Sequence, residues 1–237
     1  MSPSPESRQG ALPPSPTRLV VLSAGVNEPS ATRMLADRIA QTSLERLREQ
    51  GSSASVSVIE LAPLAVDIAR ATVAELRSDD LRAAMDRIAH ADAIIAAVPV
   101  YKAGISGLFK SFVDLLDNDL LIAKPVLLAA TAGSNRHALV ADEQMRPLFA
   151  YMRALTLPTS VFAAPEDWGA PELGDRIRRS AAELEALVQA RIEQKIGDGA
   201  WSGYQHQFAG DAVRAEQTGA DIDFDSPMMR LAAGGQR

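Results

Sequence analysis

Five short apolar runs alternate with helical segments along the chain, and this alternation limits the fold more than any other feature. The apolar runs cover residues 18–25, 55–61, 92–100, 124–133 and 159–165. The helical segments cover residues 31–50, 72–91 with a break near Ser78, 107–117, 137–155 and 171–195. Within 137–155, Pro147 either kinks the helix or starts a second segment. Strands that alternate with helices in this way predict a parallel sheet with helices packed on both faces.

The connections between these strands also limit the topology. Right-handed crossovers make a doubly wound sheet the simplest arrangement. We therefore predict an α/β, flavodoxin-like doubly wound sheet of five parallel strands in the order 2-1-3-4-5, with helices on both faces. Ligands bind such sheets outside the carboxyl ends of the strands, near the point where the strand order reverses. A ligand site is therefore expected in the loops after strands one, three and four.

The two ends of the chain differ in composition from the segment between them. Residues 1–17 are rich in Ser and Pro and contain no apolar stretch, which predicts a disordered leader and not a signal peptide. Residues 18–196 are predicted to form one α/β domain. Residues 197–237 have scattered aromatic side chains and no clear period, which predicts an extended C-terminal arm.

Composition excludes several classes of function. The net charge of −6 provides no basic field for nucleic acid or an anionic membrane, and no apolar run reaches the roughly 20 residues that span a bilayer. The chain has no cysteine, which excludes disulfides, thiolate ligands and thiol catalysis, and three histidines do not suggest a metal site. We expect a cytoplasmic protein without a metal centre.

The first candidate loop, SAGVNEPSATR, runs from residue 23 to residue 33 between a buried strand and a helix N-terminus. Ser23, Ser30 and Thr32 offer hydroxyl groups, and the free N–H groups and dipole of the helix favour an anion such as phosphate. The alternative is that Ser30 or Thr32 only caps the helix. The loop matches neither the P-loop nor the dinucleotide-binding glycine pattern.

The second and third loops expose backbone. In PVYKAGISG, residues 99–107, Pro99 stiffens the strand exit and Gly104 allows a close approach, although Tyr101 could equally pack on the edge of the core. In TAGSNRH, residues 131–137, small side chains around Gly133 and Ser134 leave N–H groups uncovered. One loop with hydroxyl groups and two loops with bare backbone suit a mononucleotide with a planar head, which in a flavodoxin-like sheet is FMN.

The segment from about residue 18 to residue 195 resembles the NADPH-dependent FMN reductases of the flavodoxin-like superfamily. The resemblance is greatest to the reductase components of two-component monooxygenases. It is carried by Pro29-Ser30-x-Thr32, by PVYKAGISGLFKSFVDLL and by TAGSNRHALVADEQMRPLFAYM. The first loop has Ser23-Ala24-Gly25 where the family usually has Gly-Ser-x-Arg.

The resemblance implies a role for each loop, with FMN and NAD(P)H as the reacting molecules. The residues that it assigns are Ser23, Ser30 and Thr32 at the phosphate, Pro99, Val100, Tyr101 and Gly104 along the flavin ring, and Gly133 and Ser134 at the polar edge of the ring. Hydride transfer between nicotinamide and flavin requires no protein acid or base, so that no catalytic side chain is expected. The resemblance also implies a homodimer or homotetramer and a partner flavin-dependent monooxygenase.

Three other functions stay open at the level of sequence. The first is an NAD(P)H:quinone or azo reductase that holds FMN tightly. The second is a non-enzymatic flavodoxin-like electron carrier, and the third is an α/β module with an empty site. The apolar residues Leu115, Leu116, Phe149 and Met152 could form a contact between subunits, although such stripes more often belong to the core of a single chain.

Overall fold

The structure is a computed structural model and describes residues 16–200. The predicted leader and the predicted C-terminal arm lie largely outside these residues and stay predictions. Where the ranges overlap, Thr17 already belongs to the first strand, and residues 197–200 continue the last helix. The chain therefore remains helical for a few residues beyond the predicted domain boundary.

Within residues 16–200 the chain forms a seven-stranded sheet. The strands are β1 (Thr17–Ser23), β2 (Ala54–Glu60), β3 (Ala93–Tyr101), β4 (Gly104–Ile105), β5 (Pro125–Thr131), β6 (Leu155–Thr156) and β7 (Val161–Ala163). The parallel order is β2-β1-β3-β5, and β6 and β7 each pair in parallel with β5. The two short strands act as one interrupted fifth strand, so the predicted order 2-1-3-4-5 is confirmed.

The helices cover both faces of this sheet, as predicted. The α-helices of the described chain are α1 (Ala31–Glu49), α2 (Ala65–Ala74), α3 (Asp79–Ala89), α4 (Gly107–Val113), α5 (Arg146–Tyr151), α6 (Pro171–Gln189) and α7 (Ile192–Ala200). One apolar core joins the sheet to α1 and α6, and the other joins it to α2, α3, α4 and α5. Because β3 is buried on both faces, its sequence reads as an uninterrupted apolar run.

Two of the predicted helices are divided. The predicted break near Ser78 in segment 72–91 is confirmed: the segment belongs to α2 and α3, and the hydroxyl of Ser78 accepts a hydrogen bond from the backbone N–H of Leu81 and caps the second helix. The segment 171–195 is interrupted at Arg191, whose φ of 48° is left-handed and incompatible with a continuous helix. The prediction also missed that α2 begins as early as Ala65.

The predicted helix over residues 137–155 is mostly replaced by shorter elements. A 3₁₀ turn covers Asn135–His137, a π-helical turn covers Ala141–Met145, and α5 then begins with Pro147 in its first turn. Proline suits that position because the first N–H groups of a helix have no partner within it. The predicted helix over 107–117 is likewise shorter, since α4 ends at Val113.

The apolar stripe considered for a subunit contact lies inside the single chain. Leu116, Phe149 and Met152 are buried in the core beneath α2–α5, and Leu115 packs against that core. The rings of Phe109 and Phe149 meet there at a centroid distance of 6.2 Å and a tilt of 59°. These residues therefore stabilise the monomer, which is the more frequent role of such stripes.

A buried lysine joins the opposite, amino end of the sheet to α7. Lys124 precedes β5 and has only 1% of its surface exposed. Its ammonium group donates to the backbone carbonyl oxygens of Ala91 and, at 3.4 Å, Ala89, and lies 2.9 Å from the carboxylate of Glu193. A buried cation needs such partners because desolvation of an unpaired charge is costly. The ion pair thus ties the last helix to the sheet.

We expect Lys124→Met to lower the free energy of unfolding by about 3 kcal/mol, because two carbonyl groups and a partly buried carboxylate lose their donor. Urea denaturation followed by circular dichroism measures this difference. Lys195→Met, an exposed lysine on the same helix, is the matched control and should change stability little. Equal stability of the two variants would show that the buried ion pair does not hold α7.

Candidate functional site

The three predicted loops lie at one edge of the sheet. They follow β1, β3 and β5, which are adjacent and parallel, so that their carboxyl ends point the same way. Backbone hydrogen bonds continue past the strands there: Ala24 donates to the carbonyl of Ala97 at 3.0 Å, and Ala132 donates to that of Ala163 at 3.2 Å. The structure thus brings the predicted loops together at the point where the strand order reverses.

The first loop is folded tightly against the start of α1. Ser23 ends β1 and is buried, whereas Ser30 is the N-cap residue of α1 and accepts a hydrogen bond from the N–H of Arg33 at 3.1 Å. A Cβ atom added to Gly25 would lie 2.0 Å from the Oγ atom of Ser30. The loop therefore requires glycine at position 25 for space, because any side chain would displace the capping hydroxyl.

Thr32 connects the first loop to the third. Its hydroxyl lies 2.7 Å from the hydroxyl of Thr131, and both residues are buried. Thr131 is the last residue of β5, two strands away from β1. The hydroxyl pair fixes the first turn of α1 over the end of β5, a role that the sequence did not indicate.

The second loop is a tight β-hairpin. Tyr101 at the end of β3 pairs with Gly104 in β4, which leaves Lys102 and Ala103 as a two-residue turn. Pro99 is buried in β3, Val100 is half-buried, and Tyr101 has 44% of its surface exposed. Tyr101 therefore presents its side chain at the surface of the candidate site and does not pack into the core.

Sequence reasoning missed Gln144, which supports this hairpin. Its side-chain amide accepts a hydrogen bond from the N–H of Ile105 and donates one to the carbonyl of Ala103, both at 3.0 Å. Gln144 lies 39 residues beyond Ile105, in a segment predicted as an ordinary helix. No local pattern in the sequence distinguishes it from a solvated helical glutamine.

The third loop is open to the surface. Gly133, Ser134 and Arg136 are exposed, and the amide of Asn135 donates to the carboxylate of Glu166 at 2.7 Å. This bond anchors the loop to the 3₁₀ turn after β7. The backbone at positions 133 and 134 is accordingly available to a ligand at the carboxyl edge.

The cations near these loops differ in their partners. The guanidinium of Arg33 donates to Asp37 at 2.7 Å and lies 3.0 Å from Glu60. The hydrogen bond to Asp37 is the main cause that raises the pKa of Arg33 above its ordinary value, so that the group stays charged in the folded protein. Among residues 16–200, Lys102 and Arg136 have no ion-pair partner, which leaves both cations available to an anionic ligand.

The described residues contain neither a metal-ligand cluster nor a membrane-spanning helix. No group of three or more histidine, aspartate and glutamate side chains is arranged to hold a metal ion in the part of the chain that the structure describes. Nor does any of the helices in that part combine the length and the apolar character needed to cross a bilayer.

A doubly wound parallel sheet with hydroxyl groups, bare backbone and an exposed aromatic ring at its switch point defines a flavodoxin-like α/β protein. The model of the NADPH-dependent FMN reductase family matches residues 17–169. The chain belongs to this family, and it is an NAD(P)H-dependent FMN reductase.

Individual relatives agree with this assignment. FMN reductase (NADPH) of Pseudomonas aeruginosa is 37% identical over 76% of this chain and 96% of that protein. NADH-dependent FMN reductase SfnE of Pseudomonas putida is 37% identical over 77% of this chain and 92% of that protein. Relatives that are equally similar thus use different nicotinamide donors.

Solved structures support the fold. An oxidoreductase from Corynebacterium diphtheriae superimposes with a TM-score of 0.72 at 43% identity, over 74% of this chain and 98% of that one. The apo form of the NADH:FMN oxidoreductase EMOB has a TM-score of 0.64 at 25% identity, over 72% of this chain and 89% of that one. A flavodoxin, WrbA-like protein from Agrobacterium tumefaciens, at 19% identity and a TM-score of 0.51, shares the fold.

The space around Gly25 generates a prediction. Gly25→Ala places a methyl group where the Ser30 hydroxyl lies, and we expect the KM for FMN to rise about fivefold or more, since such overpacking costs about 1–3 kcal/mol. Steady-state NAD(P)H oxidation at varied FMN concentration measures the effect.

Gly169→Ala is the matched control, because a Cβ atom there has no neighbour within 4 Å. This variant should keep the wild-type KM. If Gly25→Ala also kept it, the tight fold of the first loop would have no part in flavin binding.

Proposed function

We propose that this reductase binds FMN as a dissociable substrate at the carboxyl edge of the sheet and releases reduced flavin to a partner flavin-dependent monooxygenase. The observation that carries the proposal is the convergence of the three loops at the strand-order reversal. The open third loop and the exposed Tyr101 favour a ligand that enters and leaves. The likeness of the second and third loops to reductases of two-component monooxygenases supports the partner.

The first loop is proposed to hold the phosphate. Ser30 presents a hydroxyl at the N-terminus of α1, where free N–H groups and the helix dipole favour an anion. Ser23 and Thr32 are buried beside it, and the hydroxyl of Thr32 is already bonded to Thr131. We therefore assign the direct phosphate contact first to Ser30, with Ser23 and Thr32 shaping the loop or adding donors.

The second and third loops are proposed to hold the ring. Pro99, Val100, Tyr101 and Gly104 form what we call the ring platform, and Gly133 and Ser134 offer backbone groups to the polar edge of the ring. The free cations Lys102 and Arg136 flank these loops and suit the phosphates of the pyridine nucleotide. Two basic groups at the rim would attract an anionic substrate to a protein whose net charge is −6.

The residues of the three loops would hold the flavin, and the flavin and the nicotinamide would supply the hydride chemistry themselves. The task of the protein is to stack the two rings and to hold their reacting atoms close, which contributes through proximity and orientation. No proton has to be moved by a side chain, and the site accordingly offers hydroxyl groups, backbone and cations. The proposed compartment is the cytoplasm, where reduced pyridine nucleotides are supplied.

The proposal is tested by NAD(P)H oxidation with and without added FMN, after gel filtration of the purified protein. We expect the protein to elute without flavin, to oxidise NAD(P)H only when FMN is added, and to support a flavin-dependent monooxygenase in a coupled assay. NADH and NADPH are compared in the same assay.

Flavin that co-elutes, with quinone turnover faster than free-FMN turnover, would favour the quinone or azo reductase instead. Flavin binding without NAD(P)H oxidation would favour an electron carrier.

The ring platform generates a separate prediction. Tyr101→Ala removes the exposed ring at the end of β3, and we expect the KM for FMN to rise about fivefold to twentyfold, in line with about 1–2 kcal/mol of lost stacking and burial. Tyr151→Ala, at a tyrosine with 69% of its surface exposed, is the control and should leave KM unchanged. Equal KM values would remove Tyr101 from the proposed platform.

The assembly is proposed to be a homodimer or homotetramer in which a neighbouring subunit completes the flavin pocket, as the family resemblance implies. The buried stripe around Phe149 is not available for this contact. Sedimentation equilibrium gives the oligomer mass directly, and a monomer that is fully active at nanomolar concentration would exclude a shared pocket.

A further inference from the structure

The hairpin between β3 and β4 has little local stabilisation of its own. Two residue pairs join the strands, and the turn residues Lys102 and Ala103 have φ values of 52° and 63°. Two-residue hairpins usually reach this left-handed conformation with Asn-Gly, because a Cβ atom disfavours it. A turn built from lysine and alanine therefore needs support from elsewhere in the fold.

Gln144 provides that support with both ends of one amide. The amide oxygen accepts from the N–H of Ile105, and the amide nitrogen donates to the carbonyl of Ala103. The two backbone groups lie on either side of Gly104, so that the amide spans the start of β4. The orientation of the amide follows from its partners, since an N–H needs an acceptor and a carbonyl needs a donor.

Gly104 lies next to this amide. A Cβ atom at position 104 would lie 3.4 Å from the Oε1 atom of Gln144, which is ordinary contact. Gly104 does not have a positive φ, so its backbone conformation does not by itself require glycine. Gly104, which the sequence suggested for the close approach of a ligand, thus lies next to the side chain of Gln144 on this side.

The turn that carries Gln144 is itself fixed to the body of the protein. Gln144 lies in the π-helical turn Ala141–Met145, whose two end residues are fully buried. Asp142 in the same turn accepts hydrogen bonds from Arg146 at 2.6 and 3.1 Å and from Ser160 at 2.9 Å. Gln144 therefore joins the hairpin to a turn that is itself held in place by the core and by hydrogen bonds.

We infer that Gln144 is a positioning residue for flavin binding. It holds the Lys102–Ala103 turn in its left-handed conformation and thereby fixes the position of Tyr101 and Gly104 in the ring platform. The inference rests on the proposed placement of the flavin ring on Tyr101 and Gly104. Gln144 acts through the hairpin backbone and takes no part in hydride transfer. It makes FMN affinity depend on the element after β5 as well as on the loop that meets the ring.

Gln144→Met tests the inference, because methionine has a similar length and cannot form either hydrogen bond. We expect the Kd and KM for FMN to rise about tenfold, as two backbone groups lose their partners. The kcat at saturating FMN and the KM for NAD(P)H should stay within about twofold of wild type. Flavin fluorescence titration gives Kd, and steady-state kinetics give the other constants. Glu143→Met, at the exposed neighbouring position of the same π-helical turn, is the matched control and should bind FMN normally.

A second substitution distinguishes hairpin support from general damage. Adding Ala103→Gly to Gln144→Met removes the Cβ atom from the left-handed position, and this double variant should recover most of the lost FMN affinity. Gln144→Glu keeps the acceptor for Ile105 but not the donor to Ala103, so its Kd for FMN should lie between those of wild type and Gln144→Met. If Gln144→Met does not fold, Gln144→Glu tests the inference in its place.

The inference is overturned if Gln144→Met and Gln144→Glu bind FMN like wild type. It is also overturned if affinity is lost but Ala103→Gly restores none of it, or if kcat falls as much as affinity. A wild-type protein without FMN-dependent turnover would instead contradict the proposed function, so that the two failures are distinguishable in one set of assays.

Discussion

The parallel pairing of β3 with both β1 and β5 is the constraint on which the rest of the structure depends. Backbone hydrogen bonds join residues 19–23 of β1 to residues 93–97 of β3, and residues 94–99 of β3 to residues 126–131 of β5. Since neighbouring strands lie about 4.8 Å apart, the loops after β1 and β5 are held roughly 10 Å from each other. That distance suits a ligand with a phosphate at one end and a flat ring at the other.

Within this frame, a few side chains hold the shapes of the loops. The hydroxyl of Ser30 occupies the space that Gly25 leaves open, Thr131 meets Thr32 across the end of β3, and Gln144 holds the hairpin. These contacts are few, and two of them are made by neutral polar groups whose bonds are worth about 1 kcal/mol each. Together they fix a surface composed largely of backbone, which agrees with the proposed binding of a flat ligand.

The electrostatics are consistent with chemistry that the reacting molecules carry out themselves. Arg33 is committed to Asp37 and Glu60, whereas Lys102 and Arg136 stand at the rim without ion-pair partners among residues 16–200. Under the proposed function, Lys102 and Arg136 would attract an anionic substrate to the site. The ion pair of the buried Lys124 with Glu193 lies at the amino end of the sheet and stabilises the fold.

The sheet could be predicted from sequence, because an apolar run such as 92–100 is typical of a strand buried between two layers of helices. The three loops could be predicted as well, because they follow strands one, three and four of the predicted sheet. The sequence also indicated the flavin chemistry through the motifs around Tyr101 and Gly133. The way in which the loops are held is visible only in the folded chain, in the β4 hairpin, the π-helical turn, the Thr32–Thr131 pair and the amide of Gln144. The contacts of Gln144 with Ile105 and of Thr32 with Thr131 join residues 39 and 99 positions apart, and local periodicity carries no information about partners at such separations.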